Sequence, residues 1–128
     1  MDIEQPVPLT NATVQDIQLE LIRRTQHNAF DGKHIAGDLL ERRELWESVL
    51  LDGPSPLNLI KLRDLSGNYW NTDTLFILAV DEAGAYRLKE LGEQWLADSV
   101  ETYGAEATGR ELGTSDPGPR RLVQMWWD

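Results

Sequence analysis

The sequence predicts an α+β fold: an N-terminal αα-hairpin followed by a mixed four-stranded sheet with helices on at least one face. Three observations carry this expectation. Helix start and stop signals crowd the first 52 residues, apolar runs of strand length recur after residue 57, and helix-like stripes separate those runs. The chain has 128 residues, the size of one domain. It divides into an extended segment over 1–10, a helical hairpin over 13–52 and a β-rich portion over 57–128. The expected order is ααββαβαβ.

Thr13 and Asp16 have the spacing of a capping box with Asp in place of Glu or Gln, and Val14, Ile17 and Leu21 follow a helical period. Asn28 tolerates the left-handed conformation that ends a helix. Arg23, Arg24 and His27 would then lie in the last turn, where positive charge meets the negative end of the helix dipole. Asp31 can cap a second helix, with Phe30 before the cap and Ile35 inside forming a hydrophobic staple. One long bent helix is the alternative, because the apolar stripe stays in phase through Ala29, Gly32 and Ala36. The second helix is expected to bury Ile35, Leu39, Trp46, Val49 and Leu50, and to stop at Asp52-Gly53-Pro54 before a short PSP linker.

Leu59–Leu65 reads as a strand, with Ile60 and Leu62 alternating against Lys61 and Arg63. Ser66-Gly67-Asn68 is a turn signal. Thr74–Val80 is a strand that is apolar on both faces. Asp81 or Glu82 opens a helix with Ala85, Leu88, Leu91 and Trp95 on one stripe. Ser99–Tyr103 is a short strand, which makes a βαβ unit with the two preceding elements. Ala105–Leu112 is a helix stopped by Gly113, Asp116–Pro119 is a loop, and Leu122–Trp127 is the closing strand.

Composition narrows the function. The formal net charge is −10, with the acidic residues spread over both halves of the chain. Such a surface is repelled by phosphate backbones and anionic lipid, so neither nucleic acid nor a membrane is an expected partner. The spacing of the hairpin suits a helix-turn-helix, but its second helix offers few basic residues. There is no cysteine, which excludes disulfides, thiolate zinc sites and a cysteine nucleophile. The segment MDIEQPVPLT has no basic n-region or apolar h-region, and Leu75–Val80 is too short to span a bilayer, so a cytoplasmic location is expected. No phosphate-binding glycine loop and no G-x-S-x-G are present, and no cofactor is expected.

Three features could carry chemistry. His27, Asp31, His34 and Asp38 would share one stripe of an unbroken helix, as a metal site or an acid–base pair needs. If Asp31 caps a helix, only His34 and Asp38 remain neighbours, so no metal site is assigned. His27, His34 and Asp38 stay as the catalytic candidates. The second feature is the polar loop Arg63, Asp64, Asn68, Tyr69, Trp70, Asn71 and Asp73, which mixes contact area with directional hydrogen-bonding groups. Such residues also serve simply to hold a turn together. The third is Trp126-Trp127: adjacent residues of a strand face opposite ways, so at most one enters the same core, and the other is a candidate anchor for a partner.

Two functions remain open. The favoured one is a non-catalytic protein–protein interaction or inhibitor-like module that binds another protein, with a basic partner favoured by charge, or a second copy of itself through a sheet edge. The alternative is a small enzyme or small-molecule-binding domain built on a polar cleft between residues 23–38 and 63–73. There His27 or His34 would act as base, Arg63 would hold an anionic substrate and Trp70 would form a wall.

Overall fold

The computed structural model describes residues 8–52 and 59–128. The expected extended segment lies outside the described residues up to Val7, and the PSP linker lies outside them entirely. The first helix, α1 (Val14–Arg23), starts at the capping box: the Asp16 amide donates to Thr13 Oγ1 at 3.0 Å and the Thr13 amide to Asp16 Oδ2 at 2.9 Å. It ends at Arg24, not at Asn28. The chain then makes a tight two-stranded ribbon, β1 (Gln26–His27) and β2 (Phe30–Asp31), in which Asn28 takes its left-handed turn at φ 52°.

Asp31 caps α2 (Gly32–Glu41), its carboxylate accepting the His34 amide at 3.4 Å. The helices α1 and α2 pack together, and Gly32 makes this possible. A Cβ on it would stand 2.0 Å from the Ile22 carbonyl oxygen and 2.4 Å from that of Thr25. The start of α2 therefore rests directly on the backbone that ends α1.

The second helix is shorter than the sequence predicts. It stops at Glu41, and Trp46–Asp52 is the strand β3. The physical reason is a β-bulge between Trp46 and Ser48. The extra residue resets the alternation, so Trp46, Val49 and Leu51 all turn into the core. The three-residue interval from Trp46 to Val49 imitates a helical period. Conversely, Leu59–Leu65 is a helix, α3, and not a strand. Its alternation covers one short segment that a helix accommodates equally, and Leu62 and Leu65, three apart, remain exposed.

The remaining elements fall where the sequence places them: β4 (Thr74–Ala79), α4 (Glu82–Gln94), β5 (Ser99–Thr102), α5 (Ala105–Leu112) and β6 (Arg121–Trp126). Asp81 is the cap of α4, accepting the Gly84 amide at 2.7 Å. Gly113 ends α5 in the left-handed region. The class is α+β, with two N-terminal helices packed together and a four-stranded antiparallel sheet with interleaved helices, in the order β3-β4-β6-β5. It is not mixed, because β6 inserts between β4 and β5 and runs antiparallel to both. The expected βαβ unit is thereby split: its strands run the same way without touching.

Registration sorts the side chains of the sheet into two faces. Leu51, Leu75, Met125 and Val100 form one cross-strand row, and Val49, Ile77 and Val123 the next. This face meets the buried helix residues Ile22, Ile35, Leu39, Leu88 and Leu91 in the core. The outer edge of β3 is also closed. Gln15 of α1 donates to the Val49 carbonyl at 3.1 Å and accepts the Val49 amide at 2.9 Å, while Gln18 accepts the Leu51 amide at 2.9 Å. Two glutamine side chains thus satisfy backbone groups that would otherwise template another strand. Among the described residues, no helix is long and apolar enough to cross a membrane.

Candidate binding face

The tryptophans separate structure from surface. Trp46 donates its indole N–H to the Leu39 carbonyl at 2.8 Å, Trp95 to Asp38 Oδ2 at 2.8 Å, and Trp127 to the Trp95 carbonyl at 3.0 Å. Trp70 reaches the Leu51 carbonyl at 3.5 Å. Among the described residues, Trp126 is the one tryptophan whose indole N–H has no acceptor. Of the terminal pair, Trp127 is fully buried, with its ring edge-on to Phe30 at 4.6 Å between centroids, while Trp126 is 37 % exposed. Strand alternation produces this division: one residue faces the core and its neighbour the opposite side of the sheet.

That opposite side is half covered. Ser48, Leu78 and Leu122 align across three strands at one end, and α5 packs against β6 there. There the Leu122 amide donates to the buried Thr108 hydroxyl at 3.0 Å. At the other end, Leu50 on β3, Phe76 on β4 and Gln124 on β6 form the next row, and Trp126 sits two residues further along the same face. Phe76 and Trp126 are diagonal neighbours, about 7–8 Å apart by sheet geometry. Leu50 is 46 % exposed. A groove of about 290 Å³ lies between the two rows, lined by Ser48, Leu50, Phe76, Leu78 and Leu122 of the sheet and by Leu112 on α5.

Acidic groups border this surface. Asp52 and Glu101 stand on the same face of the sheet, and Glu111 lines the groove from α5. Neither Glu101 nor Glu111 forms an ion pair among the described residues. Tyr103 registers their field: it donates to Gln124 Oε1 at 2.5 Å, and burial, then Glu101 and Glu111, push its phenol above the ordinary tyrosine range. A phenol whose folded pKa is raised gives stability that is fully present below the unfolded value. That stability is lost as pH climbs from the unfolded towards the folded value. In a spectrophotometric titration, one tyrosine component should therefore ionise above pH 10, and Tyr103→Phe should remove it. If Tyr103→Phe leaves that component in place, the acidic border does not act on this phenol.

Of the three catalytic candidates, His34 and Asp38 meet and His27 stands apart. His34 Nε2 lies 3.2 Å from Asp38 Oδ2, but the histidine side chain is 60 % exposed and the carboxylate also accepts from Trp95. His27 belongs to β1, and Asp31 is spent on its cap, so the four-residue stripe is broken. Among the described residues no group of three or more His, Cys, Asp or Glu gathers as metal ligands do.

The polar loop does meet the Arg23–Asp38 segment. Arg24 Nη1 donates to Asn68 Oδ1 at 2.8 Å, the Gln26 amide to Asn71 Oδ1 at 3.1 Å, and the Thr25 hydroxyl to the Trp70 carbonyl. The Asp64 carbonyl accepts the Gly67 and Tyr69 amides, each at 3.0 Å. Asp73 accepts the Thr74 hydroxyl at 2.8 Å, and its carbonyl accepts the Trp127 amide at 3.0 Å. These residues hold the turn and fasten it to α1 and to the C-terminus. Arg63 points away from the contact, with its side chain 78 % exposed and its Nε 3.8 Å from Asp64. Leu50, expected in the core, is instead exposed on this face with Phe76 and Leu112. The available signal was β4, apolar on both faces yet followed by too little helix to cover the second one.

No family model, curated protein or solved structure matches the chain. The functional reading therefore rests on the residues themselves.

Proposed function

We propose that this protein is a non-catalytic interaction module, and that the uncovered half of its sheet is the docking face. The observation that carries the reading is Trp126, a large ring at the surface with an indole N–H left over, diagonal to Phe76, with Leu50 on the far side of Phe76 on the same face. Tryptophan combines wide contact area with one directional donor, and such residues dominate binding energy when a partner covers them. The partner is a protein segment that is basic and carries apolar anchors. Charge complementarity favours it: Glu101 and Glu111 border the face, and the whole chain carries −10. A second copy of the chain would bring the same acidic border against itself.

The test uses the protein captured from source cells by the full chain, purified and titrated back by calorimetry. Trp126→Ala and Leu50→Glu should each weaken binding by about thirtyfold, the effect of losing a central anchor. Leu40→Glu, at an exposed position of α2, should leave it unchanged. Equal affinity for wild type, Trp126→Ala and Leu50→Glu would sink the proposal, as would a captured partner that is itself acidic.

A further inference from the structure

A second concavity lies on another part of the molecule, between the end of α1, the start of α2 and the turn after α3. It encloses about 410 Å³ and is lined by Arg23, Arg24, Gln26, Lys33, Asn68 and Tyr69. Three basic side chains converge here in a chain whose net charge is −10. Glu20 offsets two of them: it takes a bidentate contact from Arg23, with Nε at 3.0 Å, and a further hydrogen bond from Arg24 Nε at 2.6 Å. The Arg23 hydrogen bond, against some burial and assisted by Arg24, holds the Glu20 carboxyl below its ordinary range. Glu20 therefore stays charged at neutral pH and acts as a fixed strut under both guanidinium groups.

Arg24 is further pinned to Asn68 through Nη1, which leaves its Nη2 hydrogens for a ligand. Lys33 enters from α2 and makes no ion pair among the described residues. Tyr69 supplies a flat wall, 49 % exposed. Its ring lies so close over the turn that a Cβ on Gly67 would be 3.3 Å from Tyr69 Cδ2. Held guanidinium groups, an exposed ammonium and an aromatic face are the parts that recognise a planar molecule bearing an oxyanion.

We propose that this cleft binds a small organic oxyanion, its carboxylate or phosphate held by Arg24 and Lys33 and its planar body stacked on Tyr69. The site is separate from the docking face, and either reading can fail without the other. Arg63, the cation that the sequence suggested for an anionic ligand, takes no part.

The experiment is an amide NMR titration of the full chain with four probes: adenosine monophosphate, benzoate, inorganic phosphate and uncharged adenosine. Either ring-bearing anion should shift the Lys33, Gly67 and Asn68 amides saturably, and whichever binds more tightly names the oxyanion. Inorganic phosphate should bind the same residues about tenfold more weakly, for want of stacking. Lys33→Ala should weaken every anion about tenfold, whereas Tyr69→Ala should remove only the advantage of the ring-bearing ones. Both positions are exposed or open to solvent, so the variants should fold. The proposal is overturned by the lack of a saturable shift with any anion, by shifts that persist unchanged in Lys33→Ala, or by adenosine binding as well as its monophosphate.

Discussion

Replacing Gly32 with alanine is expected to cost more than about 3 kcal/mol, the upper range for overpacking against backbone that cannot yield. The added carbon would sit 2.0 Å and 2.4 Å from two carbonyl oxygens, at about two thirds of a normal contact. No rotamer relieves this, because Cβ has none. The start of α2 must lift from the end of α1, which breaks the 3.0 Å hydrogen bond from the Gly32 amide to the Thr25 carbonyl and disturbs the buried Ile22 and Ile35. Thermal denaturation followed by circular dichroism measures the loss. A Gly32→Ala protein within 1 kcal/mol of wild type would mean that the two helices do not meet as described. Gly37 is the matched control: it stands on the same helix with open space where a Cβ would go, so Gly37→Ala should be neutral or slightly stabilising.

The second large effect separates the two terminal tryptophans. Trp127→Ala should destabilise the fold by about 3–5 kcal/mol, the cost of emptying a large aromatic site. The side chain is fully buried, packs edge-on against Phe30 and donates to the Trp95 carbonyl. Because Trp95 in turn donates to Asp38, the substitution loosens a chain of contacts from the C-terminus to α2. Trp126→Ala, one residue earlier, should change stability by less than about 1 kcal/mol, as surface substitutions do. Calorimetric melts of the pair decide the matter. Equal losses from both would show that the second sheet face is as closed as the first, and the docking face would lose its basis.

The parts of this fold that were legible in the sequence have local causes. The Thr13–Asp16 box, the Asp31 and Asp81 caps and the Gly113 stop each act within one helical turn, and each stands where the spacing places it. The α3 assignment failed because a short segment fits alternation and a helical period equally, and the β3 assignment failed for a non-local reason. Whether Trp46, Val49 and Leu51 share a face depends on a bulge against β4, a partner about 30 residues downstream at Ser48–Leu78 and beyond local patterning. With β3 read as a helix, Leu50 passed for core. Read as a strand, its alternation with Val49 and Leu51 sends it to the opposite face, beside Phe76. The order of the strands was equally hidden, because β6 reaches its place between β4 and β5 only after every other element has been laid down.

The candidate site was legible to the same degree. Adjacent tryptophans at the end of a strand announced that one would be spare, and the registration with Thr74 and Ser99 determines which. The polar loop announced itself through residues that proved to be fasteners, since Asn and Asp side chains that bind ligands also satisfy turns. The cationic cleft draws on Arg23 and Arg24 at the end of α1 and Lys33 in α2, which the ribbon separates in sequence.

The most direct test of the docking face is photo-crosslinking in source cells, with a benzophenone amino acid placed at position 126 and, separately, at position 40 as a control. The account expects a crosslink from position 126 to a basic protein, weakened by Leu50→Glu, and none to that protein from position 40. No crosslink from 126, one that ignores Leu50→Glu, or one that joins two copies of this chain would contradict it.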